Sequence, residues 1–254
     1  MMLIFLPIIL VVVIPVVFMI SISLMQVSAS DALPKAIQGL LPEEIAKANY
    51  RAAMFTVFTN LLAPMFYLTV PIICSVSTAS AAFISEKENH TLEALMLTGL
   101  PYKTIFSAKV SGSAFLSIVI SFFSFIAFLA SAAVGDAILS APFFFNFDWF
   151  ITIFLLMPAI TVFCVLFVAL LSRRIRTTGE SLQLMGYFIL VVALCYLMQF
   201  CGLFAMNTIV LFILALLLII ADFIMYNLAM KKFTPEDMLT PGFFSEKTSH
   251  LKSQ

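Results

Sequence analysis

The chain has 254 residues, 63% of them hydrophobic and 10% charged, with no net charge and a mean hydropathy of +1.15. Soluble domains carry roughly 25% charged residues, so the composition excludes an ordinary soluble protein and predicts a membrane-embedded one. Spans of about 20 residues each leave room for about six helices and for no separate soluble domain. The neutral balance gives no reason to expect a nucleic-acid partner.

In chain order, residues 2–25 form an uncharged apolar run long enough to cross a bilayer with some tilt. Val27-Ser28-Ala29 resembles a signal-peptidase site. The run has no basic flank and is longer than a signal core, so it reads as a retained span. In the following loop Pro42-Glu43-Glu44 starts a helix, and Glu43 stands four residues before Lys47. Leu40, Leu41, Ile45 and Ala48 fit either a short amphipathic surface helix or a partly structured connection.

Residues 52–85 carry no charge and would reach about 50 Å as one helix. Pro64 and Pro71 predict kinks there. The small, polar run 74–82 suits close helix packing, with a water-lined path as the alternative. Residues 104–134 form a third span, 149–172 a fourth containing Pro158, 182–200 a fifth and 208–230 a sixth. The connection 135–148 is aromatic and lacks Lys and Arg, and Trp149 with Phe143, Phe144, Phe145 and Phe147 reads as an interfacial aromatic belt. Residues 231–254 form a polar tail.

Lys and Arg concentrate in alternate connections: Lys87, Lys103 and Lys109; Arg173, Arg174 and Arg176; Lys231, Lys232, Lys247 and Lys252. The other connections hold only Lys35, Lys47 and Arg51. The positive-inside bias therefore predicts an all-α, six-span protein of the cell membrane with both termini in the cytosol. No internal repeat is visible, which withholds support from an inverted-repeat transporter. Cys74, Cys164, Cys195 and Cys201 show no metal-ligand spacing and read as small hydrophobes; Cys195 and Cys201 leave a disulfide open. No residue set suggests metal binding or catalysis, so the chain reads as a non-enzyme.

Residues 86–103 are the polar island of this apolar chain. Thr91 can cap a short helix, Glu93 lies in its acid-favouring first turn, and Gly99 and Pro101 end it. Leu92, Leu95 and Met96 share one face, with Glu86 and Glu88 preceding it. Such a helix suits a groove on a soluble partner or the membrane headgroups.

Residues 86–101, Glu-Lys-Glu-Asn-His-Thr-Leu-Glu-Ala-Leu-Met-Leu-Thr-Gly-Leu-Pro, resemble the first cytoplasmic loop of ABC-2 type transporter permeases, the membrane subunits of type V-like ABC exporters. The family pattern is roughly E-[KR]-E-x-G-T-L-E-x-L-L-x-[ST]-P, between the second and third of six spans. The match falls on Glu86, Lys87, Glu88, Thr91, Leu92, Glu93, Leu95 and Thr98. Pro101 is displaced by two residues, and His90 stands where the family often has glycine. Members usually carry a cytosolic amphipathic helix before the first span, which this sequence does not show.

The resemblance implies a permease whose loop acts as a coupling helix, with Glu86, Glu88, Thr91, Leu92, Glu93, Leu95, Met96 and Thr98 meeting a separate ABC ATP-binding subunit. ATP and Mg would be bound by that partner. This chain has eight glycines and no GxxxxGK[ST] phosphate loop. A second permease, identical or related, and membrane lipid complete the implied partners. Asp222, inside the sixth span and roughly 13 Å by helix rise from Lys231, is an intramembrane acid. It supports the alternative, an ion-coupled secondary transporter or channel, or else a structural or gating pair. Asn60, Gln199 and Asn207 read as interhelical hydrogen-bonding groups.

Overall fold

The computed structural model describes residues 2–24, 50–89, 101–139, 141–172, 175, 177–200 and 208–232. Among them the regular secondary structure is helical, with no strand. The helices are α1 (Met2–Leu24), α2 (Tyr50–Ser85), α3 (Tyr102–Leu139), α4 (Phe147–Leu171), α5 (Thr178–Phe200) and α6 (Thr208–Lys232). Five of these, α2 to α6, are long and apolar enough to cross a membrane. The chain is a membrane-embedded, multi-pass helical protein. In α1 the apolar stretch with described side chains, Val11–Leu24, is shorter. The surface helix proposed around Pro42, the Arg173, Arg174 and Arg176 cluster, Cys201, Asn207 and the tail beyond Lys232 lie outside the described residues. Lys231 and Lys232, expected to open the tail, end α6.

Helix α2 is the centre of the bundle, packed by α1, α3, α4 and α5. It is the most buried of the five spans, and α5 and α6 are the least. Helix α6 lies on α4. Alternate helix ends meet, as short connections between antiparallel spans require. The ends of α2, α4 and α6 and the starts of α3 and α5 form one face, called here the Lys109 end. The opposite face is the Trp149 end.

Proline shapes α2 and α4 in the same way. In α2 a π-helical segment, Phe58–Leu62, immediately precedes Ala63-Pro64. In α4 the segment Thr152–Leu156 immediately precedes Met157-Pro158. A proline lacks the N–H for its helical bond and its ring crowds the carbonyl one turn back. The wider π-turn relieves that crowding. Local side chains bond carbonyls beside these turns: Thr59 Oγ1 and Asn60 Nδ2 donate to the Thr56 carbonyl at 3.2 and 3.0 Å. Thr152 Oγ1 donates to the Asp148 carbonyl at 2.8 Å. A third π-segment, Ser80–Ser85, ends α2, and Glu86–Glu88 carry its last helical turn.

Two expectations change. Residue 135 was to open a loop, but α3 continues to Leu139. Gly135 lies against the ring of fully buried Phe55, so its missing side chain serves helix packing. Trp149 was placed in an interfacial belt, yet it is 2% exposed and Phe144 1%. Asn146 caps α4 by accepting from the Trp149 amide at 3.3 Å. The indole packs among Tyr67, Phe125, Phe128 and Phe144, with ring centroids 5.1–5.9 Å away. Phe143 and Phe147 remain exposed.

Candidate functional site

Of the residues expected to meet the partner subunit, Glu86 and Glu88 are described. Thr91, Leu92, Glu93, Leu95, Met96 and Thr98 lie outside the described residues. Each described acid is tied to another helix. Glu86 pairs with Lys109 on α3. The same Lys109 Nζ donates to the Ala82 carbonyl at 2.8 Å, in the terminal π-segment of α2, and lies 5.9 Å from the Phe83 ring centre. One lysine thus bonds the end of α2 and the acid beyond it. A cation at a helix C-terminus also complements the helix dipole.

Glu88 reaches the start of α5. Thr178 donates to Glu88 Oε2 from its hydroxyl at 2.6 Å and from its amide at 3.2 Å. Thr178 is the first residue of α5, so the carboxylate sits where helix N–H groups are unpaired and the dipole favours an anion. The hydroxyl bond, with the amide bond second, holds the Glu88 carboxyl below the ordinary glutamate range. Thr177 Oγ1 accepts from the Glu180 amide at 3.3 Å, a cap on the same turn. The Lys109 end therefore gathers α2, α3 and α5 at the residues that lead into the loop. Lys109 appeared in the sequence only as a topology charge, and Thr178 carried no signal at all.

The small polar run of α2 packs against the neighbouring helices through its hydroxyls. Thr78 Oγ1 and Ser117 Oγ of α3 are 2.9 Å apart, Ser117 Oγ donates to the Ser113 carbonyl at 2.8 Å, and Ser181 of α5 donates to Ser80 at 2.7 Å. These hydroxyls are buried and satisfy one another. Ser121 Oγ, on the same face of α3, has no partner among the described residues.

Asp222 faces the protein interior from α6, 9% exposed, and its Oδ1 has no hydrogen-bond partner among the described residues. It lies within electrostatic reach of Cys164 on α4. Between α2, α4, α5 and α6 a cavity of about 170 Å³ is lined by apolar side chains with Cys164, Cys195 and Tyr196. Cys74, Cys164 and Cys195 are free thiols. Asn60 meets its expected role: its Oδ1 accepts from Asn146 Nδ2 of the α3–α4 connection at 3.0 Å. Among the described residues no group of three or more His, Cys, Asp or Glu could hold a metal.

No family model, curated protein or solved structure matches the chain. The functional reading therefore rests on the loop motif and on the contacts around it.

Proposed function

We propose that this chain is the membrane-spanning permease subunit of an ATP-binding cassette exporter. It would have six spans, with α1 as the first, and both termini in the cytosol of a cell whose plasma membrane it crosses. Substrate would move outward, driven by ATP that a separate subunit binds with Mg and hydrolyses. A second permease, identical or related, would complete the pathway. The observation that supports this reading best is the convergence of α2, α3 and α5 on the two acids that open the motif-bearing loop. A loop pushed by a partner transmits force only where its ends are fixed to the moving parts, and here one end is fixed to three helices. ATP binding in the partner would shift the population between inward and outward arrangements through its different affinity for the two.

Co-expression with a candidate ATP-binding subunit tests the assignment. Leu92→Asp with Leu95→Asp, or Glu93→Lys, is expected to abolish co-purification or ATP-driven transport while membrane insertion stays intact. Unchanged co-purification and transport in these variants would sink the docking role.

A second reading, an ion-coupled transporter or channel, is favoured by the buried Oδ1 of Asp222, which has no hydrogen-bond partner among the described residues. It requires flux driven by an ion gradient through the chain alone.

A further inference from the structure

At the Trp149 end, two recesses of opposite character adjoin. One is a membrane-facing groove of about 430 Å³ between the starts of α4 and α6, walled by Phe147, Phe150, Phe154, Ile209 and Phe212. Phe147 and Phe150 stack with centroids 6.1 Å apart, and Phe150 and Phe154 are 4.7 Å apart. All three rings are exposed. The other recess is an inner pocket of about 30 Å³ whose polar lining includes Asn60, Asn146, Asp148, Thr152 and Tyr196. Thr208 lines the groove, Asp148 lines the pocket, and Thr208 Oγ1 donates to Asp148 Oδ1. The apolar and polar recesses therefore meet at one hydrogen bond.

Most of the pocket's polar atoms are already engaged. Asn60 Oδ1 accepts from Asn146, Asn146 Oδ1 accepts from the Trp149 amide, and the Thr152 hydroxyl is bonded to the Asp148 carbonyl. Asp148 Oδ2 and the Tyr196 hydroxyl have no such partner among the described residues, and Asp148 has no ion-pair partner among them. Trp149, which lines the same pocket, keeps a buried Nε1–H without an acceptor among the described residues. Asp148 is the single charged residue lining the pocket among the described residues. Asp148 is half-buried, and its second carboxylate oxygen offers an acceptor to the N–H groups of a cation.

Size and donor count narrow that cation. The pocket holds about two water-sized groups by the usual minimum for one water. A primary ammonium is of that size and offers three N–H donors. A trimethylammonium is larger and offers none. The adjoining aromatic groove suits a hydrocarbon chain attached to the same molecule. We propose that the starts of α4 and α6 bind a bilayer lipid with a primary-amine headgroup. Its ammonium lies against Asp148 and its chain runs along Phe147, Phe150 and Phe154. The site requires only that α4 and α6 cross a membrane, so it stands or falls separately from the exporter reading.

The test places the full chain in nanodiscs containing equal amounts of phosphatidylethanolamine, phosphatidylcholine and phosphatidylglycerol with identical acyl chains. Retained lipid is read by native mass spectrometry. Wild type is expected to keep phosphatidylethanolamine over the other two. Asp148→Asn keeps the side-chain size and an acceptor for Thr208. It should lower phosphatidylethanolamine retention roughly tenfold, the worth of one hydrogen bond to a charged group, and leave the other lipids unchanged. Phe150→Ala with Phe154→Ala should lower all three. Should Asp148→Asn not fold, Tyr196→Phe removes only a hydroxyl and reports the same preference. Equal retention of the three lipids by wild type, a preference for phosphatidylglycerol, or an undiminished ethanolamine preference in the folded variants overturns the proposal.

Discussion

Glu88 is exposed and still receives two hydrogen bonds from Thr178. Because those bonds hold its carboxyl below the ordinary glutamate value, the sign of the pH effect is fixed. The contact is fully present above the unfolded value of about 4.3 and is lost as pH falls through the lower folded value. Hydrogen exchange in the first turn of α5, corrected for intrinsic rates, should show protection at neutral pH that disappears on acidification. Glu88→Gln should lose most of that protection at neutral pH. Protection that ignores both the variant and the acid would remove Glu88 from the link between loop and α5. The motif singled out Glu88 from the sequence. Its partner, 90 residues further on, was not legible, because no local pattern marks a threonine that will face a distant carboxylate. Asp136 shows the same limit: the sequence put it in a loop, whereas its buried Oδ2 accepts from the Phe144 amide at 3.1 Å and ties α3 to the connection that follows.

Among the elements, α3 and α2 approach closely at Gly135. A Cβ there would clash with the Phe55 ring, whose Cζ lies nearest and whose Cε1 is 2.8 Å away. Phe55 is fully buried and 6.1 Å from Phe58, itself stacked on Phe18 of α1 at 4.1 Å, so the ring has little room to yield. Gly135→Ala is therefore expected to cost about 1–3 kcal/mol, read as a lower melting temperature in detergent. Phe55→Leu in the same chain should recover part of that loss. A neutral Gly135→Ala would mean that the ring moves freely. Helix positions were legible to within a few residues because apolar length and flanking charge are bulk signals. The end of α3 was not, since glycine marks a turn and a close helix contact equally well. The aromatic belt failed for a related reason. Tryptophan suits both a membrane interface and a core, and Trp149 takes the core, packed against Tyr67, Phe125, Phe128 and Phe144.

For the whole molecule, composition alone separated a membrane protein from a soluble one, and the described helices carry that through in five spans. The two proposed readings are separated by experiment, and Asp222 offers the sharpest division. In proteoliposomes holding the chain alone, the exporter reading expects no flux from a proton or sodium gradient. Gradient-driven flux that vanishes in Asp222→Asn would instead establish the ion-coupled reading. The asymmetry of the bundle fits a division of labour: α2 is held on several sides, whereas α5 and α6 present most of their surface outward. The π-turns of α2 govern how this sequence tolerates a change of length. Each π-turn stores a residue out of step with the α-helical repeat. Deleting one residue within Phe58–Leu62 would restore a regular helix and keep the rest of α2 close to its present face, because the wider turn already absorbs the extra residue. Deleting one ahead of Thr78 in the regular stretch Ala63–Ala79 would instead rotate everything beyond it by about 100°. Thr78 would leave Ser117, and Ser80 would leave Ser181. The reading phase of α2 is thus part of its structure: the helix can spare length more easily than angle.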